Sequence, residues 1–113
     1  MADSLQLSEP LIDLIAQRFR VLGEPMRIKL LDRLRQSPAT VGDLTQELAS
    51  SQQNVSKHLG VLHGAGIVRR EKQGTAVRYE IADASVFELC ETVCGGLHRQ
   101  AEALTAALVQ DAT

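Results

Sequence analysis

Gln52, Gln53, Asn54, Ser56, Lys57 and His58 crowd into one short stretch, and all six carry hydrogen-bonding side chains. The amides of Gln and Asn can pair two-fold with an adenine edge, Lys can reach guanine or phosphate, and Ser can bond either. Through the same stretch the apolar Val55, Leu59 and Leu62 recur at i, i+4 and i+7. That spacing predicts a helix from about Gln52, capped by Ser51, with one stripe turned to a core. On a 3.6-residue wheel Gln53 and Lys57 lie opposite the stripe, flanked by Asn54, Ser56 and His58. Such a face suits the major groove of DNA. An ordinary surface helix is also polar outside, so the neighbouring elements must separate the two readings.

A second set that could do chemistry is Cys90, Cys94, His98 and Glu102, each four residues after the last. Each such step climbs about 6 Å along a helix, so Cys90 and His98 stand about 12 Å apart and cannot share one ion. Cys90 and Cys94 can act as a pair. With a third ligand from elsewhere or from a second subunit they would suit Zn(II), Cd(II) or arsenite. They could equally respond to oxidants, or pack as small apolar residues with no sensing role. All three readings stay open.

The elements that must position these residues follow from the rest of the chain. Its 113 residues fit one domain, read as residues 8–109. With two Phe, one Tyr and no Trp, the core must come from aliphatic side chains, which favours helices. No stretch is apolar enough to cross a membrane, and Met1 to Gln6 lack the pattern of a secretory signal, so a cytoplasmic protein with reduced cysteines is expected. The net charge of −2 hides a strong asymmetry. Between Ser51 and Ile81, Lys57, Arg69, Arg70, Lys72 and Arg78 face only Glu71 and Glu80, a balance of +3. The positive segment is the one holding the candidate reading helix, as expected of a protein that binds nucleic acid through one surface.

Ser8-Glu9-Pro10 opens a first helix whose Leu11, Leu14, Ile15, Phe19 and Leu22 repeat at helical spacing up to Gly23. Glu24-Pro25 opens a second, stopped by Ser37-Pro38, with Arg27, Lys29, Arg33 and Arg35 expected on a solvated face. Thr40 and Asp43 form a capping pattern for a short third helix ending near Ala49. The short connection from there to Ser51 forces a steep crossing, the helix-turn-helix arrangement. After Gly66 the period falls to two, and Ile67–Lys72, Gln73-Gly74-Thr75 and Ala76–Ile81 read as a hairpin. Such a ribbon is a wing, from which Arg69, Lys72 and Arg78 would reach the DNA backbone or a minor groove. Asp83 caps a last helix striped by Val86, Cys90, Val93, Leu97, Ala101, Leu104 and Leu108. The predicted architecture is mainly α with a small β-hairpin (α+β). It is a winged helix-turn-helix whose first and last helices form a homodimer interface. Gly95-Gly96 predicts a kink or a close helix approach in the last helix.

Val21 to Ile28, Ser51 to Leu59, Ala65-Gly66-Ile67-Val68 and Gly74 to Tyr79, in this order and spacing, resemble the ArsR/SmtB family of repressors. The resemblance implies a homodimeric transcriptional repressor that binds an imperfect palindrome in double-stranded DNA and leaves it when an effector binds. It places Gln53, Ser56 and His58 at or near the bases. Gly60 departs from the basic residue common in the family. Thr40-Val41-Gly42-Asp43 lacks the family's paired cysteines, and Asp83-Ala84-Ser85 lacks the His of its last-helix zinc motif. A winged helix without a metal site, or a protein-interaction domain that does not bind DNA, is the alternative. An enzyme is not expected, because Cys94 and His98 on one helical turn come with no third orienting group.

Overall fold

The computed structural model describes residues 6–112; Met1 to Leu5, most of the stretch searched for a secretory signal, lie outside it. The order of elements is α1 (Glu9–Leu22), α2 (Pro25–Leu34), β1 (Ala39–Thr40), α3 (Val41–Glu47), α4 (Gln52–Gly64), β2 (Val68–Gln73), β3 (Ala76–Ile81) and α5 (Ser85–Ala112). The chain forms two compact units, one ending at Ala82 and one beginning at Asp83.

Local chemistry sets the helix starts. Ser8 Oγ accepts from Leu11 N at 3.3 Å, with Pro10 in the first turn of α1. Glu24 Oε2 accepts from Arg27 N at 3.1 Å to begin α2. At α3 a reciprocal capping box closes, with Asp43 N donating to Thr40 Oγ1 at 3.1 Å and Thr40 N to Asp43 Oδ2 at 3.3 Å. Ser51 Oγ accepts from Asn54 N at 3.1 Å at the start of α4. In the turn between α3 and α4, Ala49 takes φ +51°, a left-handed conformation costing a non-glycine residue about 1–2 kcal/mol. Helix α3 therefore stops at Glu47, slightly earlier than expected.

The core of the first unit gathers Leu30, Leu31 and Leu34 of α2, Leu44 of α3, Val55, Leu59 and Leu62 of α4, then Ile67, Val68 and Tyr79. Full burial of each aliphatic side chain contributes roughly 1.5–3 kcal/mol. Gly66, at φ +76°, turns the chain from α4 into the sheet as a left-handed residue after the helix end. Strands β2 and β3 pair antiparallel from Val68↔Ile81 to Gln73↔Ala76 around a turn whose Gly74 has φ +62°. The sheet is larger than the expected hairpin. Strand β1 pairs with β3 through Ala39↔Tyr79 and Thr40↔Arg78, giving the order β1-β3-β2.

Of the basic residues expected on a solvated face, Lys29 and Arg35 are exposed, whereas Arg27 and Arg33 are half-buried. Arg33 pairs with Glu47 of α3 and donates to Ser37 O at 2.9 Å, and Arg35 pairs with Asp32 at 2.8 Å. Arg27 turns inward. In the second unit, Asp83 Oδ1 accepts from Ser85 N at 3.0 Å, and α5 continues through Gly95-Gly96 without a break in its helical assignment. Val93, Leu97, Leu104 and Leu108 stand exposed along it. No helix among the described residues is long and apolar enough to cross a membrane.

Candidate nucleic-acid interface

Helix α4 has two chemically distinct sides. Val55, Leu59 and Leu62 are completely buried, whereas Gln52, Gln53, Ser56, Lys57, Gly60 and Val61 are exposed. Gln53, Ser56, Lys57 and Gly60 follow i, i+3, i+4 and i+7, so they lie along one outward stripe. A methyl group added at Gly60 would meet nothing within 4 Å, so packing within the chain does not require glycine there.

Two residues expected on this face are engaged elsewhere. Asn54 is half-buried and its Nδ2 donates to Ser50 Oγ at 3.0 Å, tying it to the turn before the helix. His58 is 7% exposed, with Nδ1 3.0 Å from Arg27 Nη1 and 3.7 Å from Glu24 Oε2. Its ring therefore points to the junction of α1 and α2 and not outward. On a wheel His58 lies between the two faces, and an arginine from a distant turn draws it inward.

Beside α4 runs a groove of about 360 Å³ whose walls include Thr40, Gly42, Gln52, Ser56, Thr75 and Val77. It lies between the start of α4 and the β2–β3 hairpin and is lined by the hydroxyls of Thr40, Ser56 and Thr75, the amide of Gln52 and the apolar Val41, Val77 and Tyr79, without a charged side chain.

The strand register divides the basic residues of the wing into two sets. Opposed residues share a face and successive residues alternate. Arg69 and Arg78 therefore share a face with their opposed partners Glu80 and Glu71. Arg69 Nε also bonds Glu80 Oε1 at 2.8 Å. That face carries two charges of each sign. Lys72 lies on the other face with Arg70, opposite Val77 and Tyr79, on the side that buries Val68. The positive face thus includes Arg70, which reading by residue type alone left out because register was not available to it.

Two carboxyls are shifted by these contacts. At Glu24, burial raises the pKa, but the Arg27 N–H, the His58 ring, the Met26 N–H and the Arg27 charge together bring it below its ordinary 4.5. At Glu80, the hydrogen bond from Arg69 lowers it, against a smaller rise from burial. Carboxyls depressed on folding bind protons more readily in the unfolded chain as pH falls. Their contribution to stability should be complete above pH 4.5 and fade as pH drops through their lower folded values. Urea midpoints measured from pH 7 to pH 3 should fall over that window, and Arg69→Gln should reduce the Glu80 share of the decline, leaving the smaller part that Arg78 supplies.

Cys94 is exposed and Cys90 half-buried, both as free thiols. Among the described residues no three His, Cys, Asp or Glu side chains converge to hold a metal ion. One subunit supplies two thiolates at most, which does not fit a closed site for zinc, cadmium or arsenite.

Comparison with known proteins matches this geometry. A helix-turn-helix domain model matches residues 22–71. The HTH-type transcriptional regulator Rv0081 of Mycobacterium tuberculosis is 39% identical over 83 residues, covering 73% of each chain. Its crystal structure superposes with a TM-score of 0.75 at 35% identity, over 84% of this chain and 96% of that one. The HTH-type transcriptional repressor SmtB of the same species is 37% identical over 73 residues, 65% of this chain and 54% of the repressor. The homodimeric winged helix-turn-helix DNA-binding domain of Mycobacterium bovis Mb0332, described as a possible ArsR-family regulator, superposes with a TM-score of 0.70 at 26% identity, over 80% and 89% of the two chains. With an outward polar stripe on α4, a three-stranded wing and these relatives, the chain belongs to the ArsR/SmtB family of winged helix-turn-helix transcriptional regulators.

Proposed function

We propose that residues 8–109 work as one DNA-binding and dimerisation domain, a homodimeric repressor of an imperfect palindromic operator. The observation that carries this is α4, buried on one side and presenting Gln53, Ser56 and Lys57 on the other. In this reading Gln53 and Ser56 meet base edges and Lys57 a guanine or phosphate, with Gln52 at the helix start. Lys72 and Arg70 approach the backbone from the face of the wing that also packs Val68. Arg69 and Arg78, each opposite a carboxylate, contribute less net charge. Asn54 and His58 support the helix from inside. The exposed apolar residues Leu11, Leu14 and Phe19 of α1, and Leu97, Leu104 and Leu108 of α5, supply the surfaces through which subunits pair. A two-fold axis then presents two reading helices to successive turns of the duplex.

Release is assigned to thiol chemistry at Cys90 and Cys94, because Cys94 is accessible and the pair lies on α5. An effector that releases DNA must bind the free form more tightly, and a hundred-fold release requires about 2.7 kcal/mol of coupling. The test is a titration of duplexes selected by the protein from genomic DNA, at several salt concentrations, with and without arsenite, zinc or peroxide. Affinity should fall steeply with salt. The Cys90→Ser/Cys94→Ser protein should bind as tightly as wild type and no longer respond to the additions. A doubly substituted protein that leaves DNA at the wild-type effector concentration rules out the thiols as the sensor, and a chain with no salt-dependent DNA affinity rules out the repressor itself.

A further inference from the structure

Arg27 stands where three helices meet, and the DNA-reading surface described above makes no use of it. Its own N–H belongs to the first turn of α2, where Glu24 accepts it. Its guanidinium donates in three directions. Nε reaches Val21 O at 2.5 Å, Nη2 reaches Arg20 O at 3.2 Å and Nη1 meets His58 Nδ1 at 3.0 Å. Arg20 and Val21 lie in the last turn of α1, whose carbonyls have no partners within the helix and form the negative end of its dipole. A guanidinium has no acceptor, so in the contact with Arg27 it is His58 Nδ1 that accepts. One planar, permanently charged fork thus joins the end of α1 to the inner side of α4.

We propose that Arg27 is a positioning residue for operator recognition, fixing the angle of the reading helix α4 relative to α1 and thereby the separation of the two reading helices in the dimer. This rests on the homodimer reading, in which α1 contributes an exposed apolar face to subunit pairing. The geometry makes small changes matter. Helix α4 is roughly 20 Å long, and a tilt of about 10° displaces its far end by about 3.4 Å, one base-pair rise. A lost Arg27–His58 link would leave each reading helix intact and able to meet its half-site, but would loosen the distance between them.

The experiment is a spacing series. Duplexes that the wild-type protein selects from a random pool are compared with the same duplexes carrying one or two extra base pairs between half-sites. Circular dichroism and sedimentation establish fold and assembly. Wild type should lose about tenfold or more in affinity per insertion, the scale of a mismatched site. Arg27→Gln should bind single half-sites as wild type does but discriminate between spacings by less than about threefold. His58→Asn, whose amide can accept in place of Nδ1, should keep the discrimination, and His58→Leu should lose it. A folded Arg27→Gln protein with wild-type discrimination, even if it melts earlier, overturns the proposal and leaves the dimer standing. Should Arg27→Gln fail to fold, the His58 pair decides in the same way, wild-type discrimination in His58→Leu being the overturning result. A wild-type protein that is monomeric and indifferent to spacing overturns the dimer and this proposal together.

Discussion

Leu104→Glu should convert the protein to monomers at micromolar concentration and abolish tight operator binding. Leu97 and Leu104 are 61% and 62% exposed in the single chain, and large aliphatics spaced seven residues apart on one helix form the kind of stripe that a second helix covers. In a two-fold interface the substitution enters twice, and each copy would bury an unpaired carboxylate. The dimer dissociation constant should rise at least about a hundredfold, or ~2.7 kcal/mol. Sedimentation velocity of wild type and variant reads this directly. Because Leu104 is exposed in the isolated chain, the monomer should keep its helical circular dichroism. A variant that stays dimeric with unchanged operator affinity would remove α5 from the interface.

The combined replacement Gln53→Ala and Ser56→Ala should erase sequence preference while leaving non-specific binding nearly intact. Both side chains are exposed on the stripe opposite Val55, Leu59 and Leu62, so neither supports the core. Removing a base contact costs roughly 1–3 kcal/mol, so each substitution should lower specific affinity about five- to more than a hundredfold. Lys57→Ala differs in kind if its partner is a phosphate, weakening all sequences alike and lowering the salt slope by about one. Competition between selected and random duplexes separates the two outcomes. Unchanged preference in the double variant would refute α4 as the reading helix.

Sequence alone determined the order of the helices and the hairpin, because caps and periods are local. Ser8, Thr40 and Ser51 each accept an N–H three residues on, as their positions before apolar repeats require. The two-residue period after Gly66 and the glycine at position 74 likewise fix the hairpin within a few residues. The buried stripe of α4 was legible for the same reason. Strand β1 was not, since Ala39 and Thr40 are too few to show a period and become a strand only because β3 lies beside them.

Tertiary structure decided which polar residues are available. His58 and Asn54 have the chemistry of DNA contacts, but Asn54 is tied locally to Ser50 four residues back, and His58 is held inside by Arg27, a partner 31 residues away that a helix crossing supplies and no window of sequence contains. Arg69 and Lys72 look equivalent in a count of charges. Register places one on a face carrying Glu71 and Glu80 and the other beside Arg70, because a strand turns alternate side chains to opposite sides. Arg27 was read as one of several solvated arginines, and only its approach to the α1 carbonyls and to His58 gives it a distinct place. Residue type and spacing specify what a side chain can bond. The packing of distant turns determines which bond it makes.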